Sequence, residues 1–82
     1  MSRKTFYQDN RFHLVAGVDH VLGNFLQLFD QDMINETPEG EGLVLDWSQF
    51  FNMETNLTGI PGDNPLDIAI KYLRENDVEL KL

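Results

Sequence analysis

Apolar and polar side chains alternate from Phe12 to Val18, with Phe12, Leu14, Ala16 and Val18 on one side and His13, Val15, Gly17 and Asp19 on the other. Alternation of period two predicts a half-buried strand. A second alternation runs from Phe25 to Asp30, where Phe25, Gln27 and Phe29 interleave with Leu26 and Leu28. Turn-forming residues lie between the two runs, so an antiparallel hairpin is expected. A helical pattern competes for the same residues: Val18, Leu22, Phe25, Leu26, Phe29 and Met33 form a stripe opposite His20, Asn24, Gln27 and Gln31. The hairpin is preferred because Gly23 inside a helix costs about 1 kcal/mol relative to Ala, and because the first strand needs a partner.

Further along, Gln31 to Gly42 reads as a solvated acidic loop, and Gly42-Leu43-Val44-Leu45 as a short third strand. Asp46 is placed to cap a short helix in which Trp47, Phe50 and Phe51 share one face. Asn56 to Gly62 breaks regular structure. Asn64-Pro65 then starts a helix over 65–75, with Asn as cap, Pro in the first turn and Asp67 near the positive end of the dipole. Leu66, Ala69, Ile70 and Leu73 are its expected buried stripe, Lys71 and Arg74 suit its C-terminal half, and Asn76 is its stop. Val78, Leu80 and Leu82 alternate with Glu79 and Lys81, as in an edge strand or extended tail. The expected fold is therefore a small single α+β domain over residues 1–82: a β-hairpin, with room for a third strand, packed against one or two helices.

Charge changes the picture. All six basic residues lie in the end segments, as Arg3, Lys4, Arg11, Lys71, Arg74 and Lys81, while ten carboxylates from Asp19 to Asp67 have no basic residue among them. The net charge is −8. A field of that sign repels phosphate backbones and disfavours direct nucleic-acid binding; basic protein surfaces and cations suit it. With 41% hydrophobic residues in 82, the chain is apolar enough to fold around one modest core, which homodimerisation would extend. The chain has no cysteine, which removes disulfides and thiolate chemistry. A polar start and the lack of any apolar run near the ~18 residues of a membrane helix lead to the expectation of a cytoplasmic protein away from membranes. The glycosylation acceptor pattern at Asn56-Leu57-Thr58 is then an accident of composition.

Candidate chemistry is sparse. Counted from Asp30 as the first position of a twelve-residue calcium loop, Asp32 and Glu41 fall at positions 3 and 12, but Ile34 at position 5, Asn35 at position 6 and Pro38 at position 9 are wrong for such a site. His13, Asp19 and His20 form the other candidate, for metal or small-ligand binding, since a carboxylate beside an imidazole orients it. Along one strand, however, residues 13 and 20 point to opposite faces. Ser48 lies in no nucleophile elbow, and Gly40-Glu41-Gly42 is no phosphate cradle. No cofactor is expected, and an enzyme is the minority reading.

The preferred function is a small non-enzymatic interaction module that binds a basic partner surface, such as one used for handling nucleic acid. Its expected contact residues are Asp30, Asp32, Glu36, Glu39, Glu41, Asp46 and Trp47. Trp47, Phe50 and Phe51 are read first as core, with Trp47 the exception that would anchor an interface. The alternatives are a metal- or ligand-binding protein centred on His13, Asp19 and His20, and a structural or oligomerisation subunit whose acidity serves solubility alone.

Overall fold

Gly23 decides the competition between helix and hairpin. It adopts φ +74°, a left-handed conformation costly for other residues, and ends the turn that joins two paired strands. In the computed structural model, described for residues 2–37 and 39–80, the strands are β1 (Ser2–Gln8), β2 (Phe12–Asp19), β3 (Gly23–Asp30), β4 (Leu43–Ser48) and β5 (Asn52–Asn56). They form one antiparallel sheet in the order β1-β2-β3-β4-β5, a simple meander. A short 3-10 helix, Gln31–Glu36, follows β3, and one α-helix, α1 (Pro65–Glu75), closes the described fold.

The expected α+β class is thus corrected. The fold is mostly β, with five strands and one short α-helix rather than a hairpin served by one or two helices. Two features explain the difference. β1 is exposed along nearly its whole length, and β5 half-buries Met53 and Thr55 but offers only one apolar side chain, so neither edge strand displays an apolar alternation in sequence. The helix expected from Asp46 does not form; Trp47 lies on β4, paired with Leu26 and Met53, while Phe50 and Phe51 sit in the β4–β5 turn. Extending β4 satisfies the ladder groups of β3, and three aromatics over five residues offer too little helix to compete.

The main core lies on one side of the sheet, while Val15 and Phe25 are buried on the other. Leu14, Leu28 and Leu45 align across three strands, Ala16, Leu26 and Trp47 form the next row, and α1 covers them. A bulge opposite Leu28 and Phe29 leaves Val44 out of register, so Val44 and Leu45 are both buried. The buried helix face is Ile68, Ala69 and Leu73; Leu66, expected in that stripe, is exposed and Ile70 is half-buried. Helix start and stop follow the sequence: Asn64 Oδ1 accepts from the Asp67 amide at 3.1 Å, Pro65 occupies the first turn, and Asn76 is the C-cap. Val78 and Leu80 pack against the core without forming a strand, and Lys81 and Leu82 lie outside the described residues. No helix among the described residues is long and apolar enough to cross a membrane.

Candidate functional site

Between β3 and β4 the chain must cross from one strand to its neighbour, and it does so through a braced loop. Asp30 caps the 3-10 helix by accepting from the Asp32 amide at 3.0 Å. The Thr37 hydroxyl, buried, donates to the Ile34 carbonyl at 3.1 Å and accepts from the Gly42 amide at 3.0 Å. The Gly42 carbonyl in turn accepts from the Asp30 amide at 2.7 Å. Gly42 has φ +77°, and a Cβ there would press on the Asp30 carbonyl, so only glycine fits this return to the sheet. A loop tied at both feet projects Glu39 and Glu41 outward.

These two carboxylates border a cleft of about 220 Å³ that is also lined by Thr37, Leu43, Asp46 and Thr55. Loss of surrounding water, a hydrogen bond shared with Glu39, and the charges of Glu39 and Asp46 push the Glu41 carboxyl above its ordinary value. Gln27 Nε2 donates weakly to Asp46 Oδ1 at 3.5 Å, and among the described residues no cation pairs with Glu39, Glu41 or Asp46. The cleft therefore concentrates negative charge that no described residue neutralises. Glu36 is exposed at the end of the 3-10 helix, beside this loop.

The other expected contact residues go elsewhere. Asp30 is 0% exposed and accepts from Arg11 Nε at 2.8 Å, Arg11 Nη2 at 3.1 Å and the Tyr72 hydroxyl at 2.6 Å. Burial alone would raise its carboxyl, but these donors and the Asp32 amide hold it below its ordinary value. Asp30 is an internal anchor joining β3 to α1, and its place on a partner surface is corrected. Asp32 is exposed and shares the same arginine, 3.0 Å from Arg11 Nε. Trp47 packs against the core, whereas its neighbour Asp46 lines the cleft, as alternation along a strand requires.

His13, Asp19 and His20 are not brought together. His13 pairs with Phe29 near one end of β2, with its Nε2 3.2 Å from the Thr5 hydroxyl oxygen. Asp19 closes the other end, about 20 Å away at strand rise, where Oδ1 accepts from the Val21 and Leu22 amides. His20 stands exposed in the turn beyond it. Among the described residues no three His, Cys, Asp or Glu side chains converge as a metal site.

Thr37, Leu43 and Thr55 line the cleft without any signal in the sequence that would have found them, because Thr55 reaches it only through the β4–β5 pairing opposite Asp46. A second surface feature stands at the opposite end of the strands. There the Phe50 amide donates to the Leu22 carbonyl at 3.2 Å and the Asn24 amide to Gln49 Oε1 at 3.1 Å, locking two turns together beneath the exposed side chains of Val21, Phe50 and Phe51. No protein-family model, curated protein or solved structure matches the chain.

Proposed function

We propose that the chain is a small non-enzymatic interaction module whose acidic loop and cleft receive a basic surface of a partner protein. The observation that carries this reading is the convergence of Glu39, Glu41 and Asp46 on one cleft where, among the described residues, no cation pairs with them; loss of water and then the neighbouring carboxylates push the Glu41 carboxyl above its ordinary value. Such an arrangement stabilises a lysine or arginine side chain offered from outside and steers its approach. A partner surface that otherwise neutralises phosphates has the required sign, and the module would cover it. The contact set under this reading is Glu36, Glu39, Glu41 and Asp46, with Asp32 at its margin.

The test is affinity capture from the source cell at low salt, with wild type compared with the triple reversal Glu36→Lys/Glu39→Lys/Glu41→Lys. A partner retained by wild type alone is then followed kinetically at two salt concentrations. Reversal and salt should each slow association by at least tenfold and change dissociation much less. Equal, salt-insensitive rates for the two proteins overturn the reading and favour acidity that serves solubility alone.

A further inference from the structure

The outer side of β1 is an open sheet edge. β1 ends the strand order, and among the described residues none of its backbone groups bonds outside its ladder with β2. Ser2 to Thr5 pairs in unbroken register with Val18 to Val15, and the register shifts only between Thr5 and Tyr7, where Phe6 is the extra residue. This regular half carries Arg3 and Lys4, exposed, and β1 contains no carboxylate, in a chain of net charge −8. It is anchored closely to the sheet: a Cβ on Gly17 would collide with the Ser2 carbonyl, so the glycine allows β1 to approach.

An open, regular, cationic edge selects its ligand by two independent rules. Unpaired main-chain groups accept an added strand, and the side chains alternating on it choose the sequence. We propose that Ser2–Thr5 binds an extended acidic peptide by strand addition, with carboxylates at consecutive peptide positions meeting Arg3 on one face and Lys4 on the other. A second copy of β1 is disfavoured. Antiparallel self-pairing of Ser2–Thr5 sets Arg3 opposite Lys4 of the other copy, a like-charge pair, and any longer self-register must cross the bulge at Phe6. The Lys4 ammonium lies 5.4 Å from the centre of the Phe6 ring, which holds it at the edge it is proposed to serve.

The experiment is a titration of the 15N-labelled full chain with the blocked peptide Val-Glu-Asp-Val-Thr, followed by amide shifts. The expected result is shifts confined to residues 2–5 and their β2 partners, with binding at least tenfold weaker for Arg3→Glu/Lys4→Glu, whose core shifts stay unchanged because both side chains are exposed. Binding should be lost when alternate peptide amides are N-methylated, since that removes the ladder and keeps the charge. Equal binding of the methylated peptide, shifts that map to the β4–β5 turn or no shift at millimolar peptide each overturn the proposal. So does concentration-dependent association of the free protein that buries residues 2–5.

Discussion

The Tyr72 hydroxyl donates to Asp30 Oδ2 at 2.6 Å, bridging a separation of 42 residues to tie α1 to the end of β3. Asp30 is fully buried and its remaining donors come from Arg11 and the Asp32 amide, so each lost donor leaves a charged oxygen short of a partner. Tyr72→Phe is expected to destabilise the fold by about 2 kcal/mol, the range for hydrogen bonds to charged groups. Asp30→Asn breaks the ion pair as well and should cost about 3 kcal/mol. Urea denaturation of the two variants measures both; equal stability of Tyr72→Phe and wild type would show that the helix is held by apolar packing alone.

The same bond gives an alkaline signature. Burial, then the hydrogen bond and charge of Asp30, push the Tyr72 hydroxyl up to about 12. A group whose folded value is raised contributes stability that is complete below its ordinary value of about 10 and is lost as pH rises through the folded one. Wild type should therefore weaken between roughly pH 10 and 12, and Tyr72→Phe should weaken less over that window, as read by denaturation midpoints at stepped pH.

In the acid range Asp9, Asp19 and Asp30, held below their ordinary values by hydrogen bonds, act with opposite sign to Glu41. Asp30 is held below its ordinary value, so its contribution is present above about pH 4 and is lost as pH falls through the lower folded value. Glu41 is raised, so its contribution is complete below about pH 4.3 and is lost as pH rises through the higher folded value. Acidification from neutral pH should first stabilise the protein and then unfold it. A melting temperature that falls without a maximum from pH 7 downward would assign no role to Glu41.

What could be read from the chain follows the range of the interactions. The Asn64 cap, Pro65 and Asp67 are neighbours in sequence, and the helix begins where they place it. The runs from Phe12 and from Phe25 each show a buried face, and they pair. β1 and β5 display no apolar alternation, because β1 is exposed on both faces along most of its length and β5 turns only one apolar side chain, Met53, toward the core. Trp47, Phe50 and Phe51 fit helical spacing in sequence, yet the open edge of β3 recruits Trp47 into β4. In the site, Glu39 and Glu41 are close in sequence and were legible; Asp46 and Thr55 join them through strand pairing. Asp30 shows the limit most clearly, since nothing local distinguishes an acid bound by Arg11 and Tyr72 from one facing water.

Among the described residues the buried Ser48 hydroxyl has no hydrogen-bond partner; it stands on a strand position opposite Phe25. A hydroxyl desolvated without compensation opposes folding, so replacing it with hydrogen removes a penalty at the cost of little volume. Ser48→Ala should leave stability unchanged or raise it by up to about 1 kcal/mol. Denaturation midpoints test this; a loss above about 1 kcal/mol would mean that the oxygen holds a partner such as an ordered water.

Repulsion within the cleft should make the wild-type fold more stable as salt is added at neutral pH. Among the described residues no cation pairs with Glu39, Glu41 or Asp46, and of the ten carboxylates from Asp19 to Asp67 only Asp30, Asp32 and Asp67 have a salt-bridge partner. Screening weakens such repulsion once the Debye length falls to roughly 10 Å or less. A fold held by surface ion pairs would respond in the other direction. Glu41→Gln removes the carboxylate with the raised proton affinity, so it should stabilise the protein at low salt and lose that advantage at high salt, as melting temperatures at two ionic strengths will show. The same variant should bind a basic partner more slowly, because the charge that strains the free protein is the charge the partner neutralises. If Glu41→Gln instead weakens the fold at low salt, Glu41 is held by an internal contact, and the cleft is not a site left open for a cation.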